Sequence, residues 1–188
     1  MAHGGHSGGG PCYHYHHSYR SGGRSATRGE VLLCVGIVIA LVTFFAIAID
    51  SSLSGKKPLE GEYETYPSYV IDEAGYFQEK RALTAGLKYI HEKTNVQVVV
   101  MSSNDSWSDA KAVDKYYELF DDEAHVLIIC PTAWYSSTVY YAIGDLADTV
   151  IDDYAVKYLI DGVDKSNKGS KWKTYLISLT DKLLRPKD

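Results

Sequence analysis

The chain is poor in the features that mark most enzyme classes. Residues 50–188 contain no GxSxG, no GxGxxG behind a strand, no GxxxxGK[ST], no HExxH and no CxxC. Nucleophile-elbow hydrolases, nucleotide-binding loops, zincins and dithiol redox sites therefore find no support there. Cysteine is scarce: of Cys12, Cys34 and Cys130, only Cys130 lies in that stretch, so a disulfide-stapled scaffold is excluded and a core must hold the domain. Positive charge is not in excess. The formal net charge is -5, which argues against nucleic acid as the main partner.

The most telling absence is local. Val31 to Ile49, VLLCVGIVIALVTFFAIAI, carries no charged residue. At 1.5 Å rise, 19 residues make a helix of roughly 29 Å, the thickness of a bilayer's hydrocarbon core. It has no polar stripe of the kind a buried core helix shows. Ala46-Ile47-Ala48 imitates a signal-peptide cleavage site, but the apolar run is longer than a secretory one. The expectation is an uncleaved transmembrane anchor. Arg20, Arg24 and Arg28 precede the run and Lys56 and Lys57 follow it. The basic bias puts the N-terminus in the cytoplasm and the C-terminal domain outside a plasma membrane.

Four regions follow. Residues 1–30 hold 8 of the 16 Gly and 5 of the 7 His and have little to bury, so they read as a disordered His/Gly-rich cytoplasmic tail. A metal tract using Cys12, His14, His16 and His17 is the sharper alternative. Residues 31–49 are the anchor. Residues 50–67, rich in Ser, Gly, Pro and alternating charge, read as a linker. Residues 68–184 form the extracytoplasmic domain.

In that domain, YVIDEAGYF (69–77) is extended to Asp72 and turns at Gly75. Leu83, Leu87 and Ile90 then mark a helix ending at Thr94-Asn95. VQVVVM (96–101) and VLIIC (126–130) are continuous apolar runs, typical of strands covered on both faces. Ser108 caps a helix between them, striped by Val113, Tyr116, Tyr117 and Phe120. TVYYAI (138–143) is a third strand, close enough to the second to form an antiparallel hairpin. Helices follow at 149–160 and 171–184. The pattern predicts an α/β fold, a three-layer α/β/α sandwich with a small mixed sheet, preceded by one transmembrane helix.

Carboxylates are the richest chemical signal. Asp72 sits at the first turn, Asp105 follows the first long strand, and Asp145 and Asp148 follow the hairpin. Ligands in open α/β sheets bind beyond the carboxyl ends of strands, and hard cations want several oxygens. A Ca2+ or Mg2+ site from Asp72, Asp105, Asp145 and Asp148 is one reading; helix N-terminal and solvated loop acids are the other. His91 reads as a surface residue and His125 as packed at a sheet end. Trp107, Trp134 and Tyr135 lie in loops, as interface anchors or as rim packing.

The segments Val70 to Gly75, Thr94-Asn95-Val96-Gln97 with its valine run, VLIIC and YYAIGDLADTVIDD resemble the TPM domain family. Asn95 stands where that family usually has Gly. The resemblance covers about residues 68–160. It implies an α/β sandwich, calcium binding in some members, weak phosphatase activity in some plant members, and accessory roles beside membrane complexes. Asp72 matches the family's acidic position, and Asp148 falls where the family has Glu. The expected function is a non-enzymatic, single-pass, membrane-anchored accessory module binding another membrane or envelope protein. The alternative is a weak metal-dependent phosphatase.

Overall fold

The computed structural model describes residues 53–132 and 138–187. The anchor 31–49, the His-rich tail, Trp134 and Tyr135 lie outside the described residues. Among those described, no helix is long and apolar enough to cross a membrane. They form an α/β fold with four strands and five helices: β1 Val70–Asp72, α1 Lys80–Thr94, β2 Gln97–Ser103, α2 Asp109–Leu119, β3 His125–Pro131, β4 Tyr140–Ile143, α3 Asp145–Asp148, α4 Asp153–Val163 and α5 Gly169–Leu183.

The sheet order is β1-β2-β3-β4. β1, β2 and β3 run parallel, with Val70 opposite Val100 and Val98 opposite Val126. β4 is antiparallel to β3, with Leu127 opposite Ala142, as a short link without a helix requires. The stretch at 69–72 is more than extended: it supplies the edge strand β1.

β2 and β3 are buried almost throughout, because both faces are covered. Val98, Val100, Val126 and Ile128 join one core with Leu83, Leu87 and Ile90 of α1, Val156 and Leu159 of α4, and Trp172, Leu176 and Leu179 of α5. Val99, Met101, Leu127 and Ile129 point the other way, onto Ala112 and Tyr116 of α2 and onto Phe120. Period-two alternation thus feeds two cores from one apolar run.

α1 and α5 lie side by side and parallel. At their N-terminal ends Gln78 bridges to Lys168, and the Glu79 carboxylate accepts from the Ser170 amide at 3.0 Å, capping α5. At their C-terminal ends the Tyr89 hydroxyl donates to Asp181 at 3.1 Å. Asn95 closes α1 in the left-handed conformation at φ 60°, the role its short amide side chain suits.

Three expectations are corrected. On α2, Val113 and Tyr117 are 44% and 63% exposed; the buried stripe runs through Ala112, Tyr116 and Phe120, because α2 covers the sheet with a narrow face. The helix expected at 149–160 starts later and runs further, as α4, capped by the Asp152 carboxylate, which accepts from the Ala155 amide at 3.0 Å; the short α3 lies ahead of it. The segment read as a linker is bound to the body. Leu53 is fully buried in the core of α1, α4 and α5. The Leu59 amide donates to the Thr94 carbonyl at 2.9 Å, Lys56 pairs with Asp152 at 2.8 Å, and Tyr66 exchanges two bonds with the Gln97 amide at 2.7 and 2.8 Å. Gly and Pro there shape a fixed path, and the apolar Leu53 and Leu59 hold it.

Candidate functional site

Asp72 ends β1, and its side chain is only 4% exposed. Oδ1 accepts from the Ser102 hydroxyl of β2 at 2.5 Å, from the Tyr76 amide at 2.8 Å and from the Phe77 amide at 3.4 Å. Lys80 Nζ lies 2.5 Å from Oδ2, close by distance although not aligned as a hydrogen bond. Burial alone would raise this carboxyl. Lys80, Ser102 and the two amides outweigh it and hold the group below its ordinary range. Asp72 therefore knits β1, β2 and the start of α1 into one corner.

Glu73, the next residue, points elsewhere. With Met101, Asp105, Trp107, Lys111, Asp114, Lys115 and Glu118 it lines an open crevice of about 330 Å³. The crevice lies beyond the carboxyl ends of β1 and β2, against α2, where open α/β sheets take ligands. Trp107 is half-buried and packs on the α2 core, and its indole Nε1 is buried without a hydrogen-bond partner. Lys111 donates to the Ser106 carbonyl and Lys115 to Glu118, each at 2.8 Å. Glu73, Asp105, Asp114 and Glu118 outnumber them, so the crevice is acidic.

The four acids expected to share one cation do not converge. Asp72 and Asp105 lie at the carboxyl edge of the parallel strands. Asp145 and Asp148 lie at the opposite edge, because antiparallel β4 carries the chain back: the Asp145 amide donates to Glu123 at 3.2 Å, and the Ala147 amide to the Glu123 carbonyl at 2.9 Å, just ahead of β3. Gly144 makes that approach possible, since a Cβ there would stand 2.4 Å from the Glu123 carbonyl oxygen. Asp72 has both oxygens engaged by groups of its own chain. Among the described residues no group of three or more His, Cys, Asp or Glu is placed to hold a metal ion. The donor set does not fit Ca2+ or Mg2+, which need several convergent oxygens.

Neither described histidine stands beside a nucleophile. His91 is not a free surface residue: its Nδ1 meets the Tyr69 hydroxyl at 2.8 Å, and burial, helped by His125, lowers its pKa. His125 is 2% exposed and stacks on Phe120 at 4.3 Å between ring centroids. Its Nδ1 lies 2.8 Å from Asp122 without hydrogen-bond alignment. Cys130 sits at the far end of the same strand, and burial pushes its thiol up to about 12, leaving it protonated and inert.

The sequence singled out Asp72, Asp105 and Trp107 but missed Glu73, Lys111, Asp114, Lys115 and Glu118. The α2 residues face the crevice through their i, i+3, i+4 spacing, a signal that reads equally well as a solvated helix face.

No protein-family model matches the sequence, and no curated protein matches it. Among solved structures, the solution NMR structure of the N-terminal domain of the cg2496 protein from Corynebacterium glutamicum is similar, at 11% identity and a TM-score of 0.48, over 67% of this chain and 84% of that one.

Proposed function

We propose that this chain is a single-pass membrane-anchored, TPM-like accessory module, non-enzymatic, whose extracytoplasmic domain binds another membrane or envelope protein through the crevice of Glu73, Asp105 and Trp107. The reading takes the uncharged run 31–49 as the anchor and the fold as a three-layer α/β/α sandwich behind it. The observation that carries it is the crevice itself. It pairs a large aromatic and an apolar floor at Met101 with unspent carboxylates, while the described histidines and Cys130 are buried or engaged away from it. Aromatic anchors inside a polar rim are the usual makings of a protein contact. The acid excess selects a partner surface that presents Lys or Arg.

The phosphatase reading draws on Lys111 and Lys115, which α2 brings to the crevice. Each is already engaged, and four carboxylates surround them, a field that repels a phosphate dianion. It remains the weaker reading.

The test is a photo-crosslinking side chain at Asp114, an exposed crevice position, in the full-length protein in its own membrane. One membrane or envelope protein should be captured there and not from a matched probe at Lys168. Equal capture from both positions, or release of phosphate from p-nitrophenyl phosphate by the purified protein, would refute the reading.

A further inference from the structure

The body carries a second feature at the opposite end from the crevice. The C-terminal ends of α1 and α5 and the segment after Leu53 meet there. The Gly55 amide donates to the Arg185 carbonyl at 2.7 Å, and the Lys56 amide to the Leu183 carbonyl at 2.9 Å. Gly55 has φ +76°, and a Cβ on it would stand 2.8 Å from Lys187 Cγ. Glycine thus lets the C-terminal tail lie over the segment that follows Leu53. The result gathers Lys57, Lys93, Arg185 and Lys187, all exposed, with Lys56 on Asp152 and Lys182 over the Tyr158 ring at 5.3 Å. Tyr89, Lys93, Thr180, Asp181, Leu184 and Arg185 also share a shallow hollow of about 310 Å³.

Helix dipoles account for part of this, since Lys93 and Lys182 fall in last turns. Arg185, next to the α5 C-cap, also lies at a helix end, but the dipoles do not account for Lys57 and Lys187. Nor does composition: residues 50–188 hold 16 Lys and Arg against 23 Asp and Glu, yet six of the cations meet at one pole. Of the nearby acids, Asp152 pairs with Lys56, while Asp181 accepts from the neutral Tyr89 hydroxyl and keeps its charge beside Lys93 and Arg185. Glu92 acts on Tyr69 and His91, on the β1 side.

Chain length supplies the occupant. Only Asp50, Ser51 and Ser52 separate the uncharged run from buried Leu53, a reach of at most about 14 Å. With the run 31–49 as the anchor, so short a tether keeps the segment beside Leu53 within reach of the bilayer surface.

We propose that this pole, Lys57, Lys93, Arg185 and Lys187, docks on the anionic headgroups of the bilayer that holds the anchor, aiming the crevice away from the membrane. The proposal rests on the anchor reading above. Each Lys or Arg at an anionic headgroup surface favours contact by roughly fivefold, and the effect weakens as salt shortens its range.

The test uses the full chain in nanodiscs of phosphatidylcholine alone and of phosphatidylcholine enriched in phosphatidylglycerol, read by hydrogen exchange and by relaxation from spin-labelled headgroups. Residues 54–57 and 184–187 should be several-fold more protected and broadened in the anionic discs, and Asp105 unaffected. The contrast should fade at high salt and in the triple variant K57E/R185E/K187E. It should survive Lys168→Glu, at the other end of α5, which controls for a charge reversal away from the pole. Free inorganic phosphate should not reproduce the protection. A chain that enters neither disc overturns the anchor reading and the docking with it. A chain that enters both with equal exchange at the pole overturns the docking alone.

Discussion

Asp72 and Glu73 are neighbours in sequence, carry the same charge, and meet different fates. Asp72 turns inward at the end of β1 and is occupied by one hydroxyl, two amides and an ammonium. Glu73 turns outward and joins Asp105 on the crevice wall. A buried carboxylate held by hydrogen bonds at one oxygen and an ion pair at the other stabilises a corner and has little left for a ligand; an exposed one on a concave wall contributes little to folding and stays available. An acid at a strand end therefore says where a site can be, and its partners say whether it serves the fold or the site.

The largest effect should come from breaking that asymmetry. Asp72→Ala leaves Ser102 and two amides without their acceptor and should cost about 3 kcal/mol in denaturant unfolding. Glu73→Lys and Asp105→Lys should each stay within about 0.5 kcal/mol of wild type. Comparable losses from all three would erase the distinction.

Leu53→Ala extends the comparison to the segment before β1. It removes a side chain buried in the core of α1, α4 and α5 and should cost about 2–3 kcal/mol. A true linker would lose nothing.

Acid unfolding separates Asp72 from His91 by pH window, the sign being the same for both. Asp72 titrates lower when folded than when unfolded. Its contribution is complete above the ordinary aspartate pKa, near 4, and is lost as pH falls through the folded value. His91 is also lowered, so protonation favours the unfolded chain and stability declines already below about pH 6.5. Asp72→Asn should flatten the first limb, and His91→Gln the second. A histidine limb of opposite slope would contradict the assignment.

The smallest expected effect is from divalent cations. The four acids lie at two edges of the sheet, so the melting temperature should not move from micromolar to millimolar Ca2+ or Mg2+. A rise that Asp72→Asn abolishes would restore the metal site, because a bound ion stabilises only the folded state.

Much of this fold was legible. VQVVVM and VLIIC announced strands covered on both faces, and the short link before TVYYAI announced the hairpin. Ser108 and Asn95 marked helix ends by side chains whose chemistry suits those positions. What sequence did not show were relations across the chain. Val113 and Tyr117 have the spacing of a buried stripe, and only the narrow contact of α2 with the sheet leaves them exposed. Residues 53–67 have a linker's composition, and their fixed path depends on Thr94, Gln97, Asp152 and Leu183, distant in sequence. The antiparallel hairpin read from the short link already spoke against Asp145 and Asp148 sharing a cation with Asp72 and Asp105, and the structure places the two pairs at opposite edges. The crevice was half legible: Asp105 and Trp107 stand in a loop, whereas its α2 wall looks like any charged helix face.

Whether the crevice binds a partner without holding the fold is decided by the double variant Glu73→Lys/Asp105→Lys of the full-length protein, with melting temperature and crosslinking yield from position 114 recorded in one preparation. The melting temperature should stay within a few degrees of wild type and the crosslinked partner should be lost, because the reversed charges repel a basic surface. An undiminished crosslink at unchanged stability would contradict partner binding there.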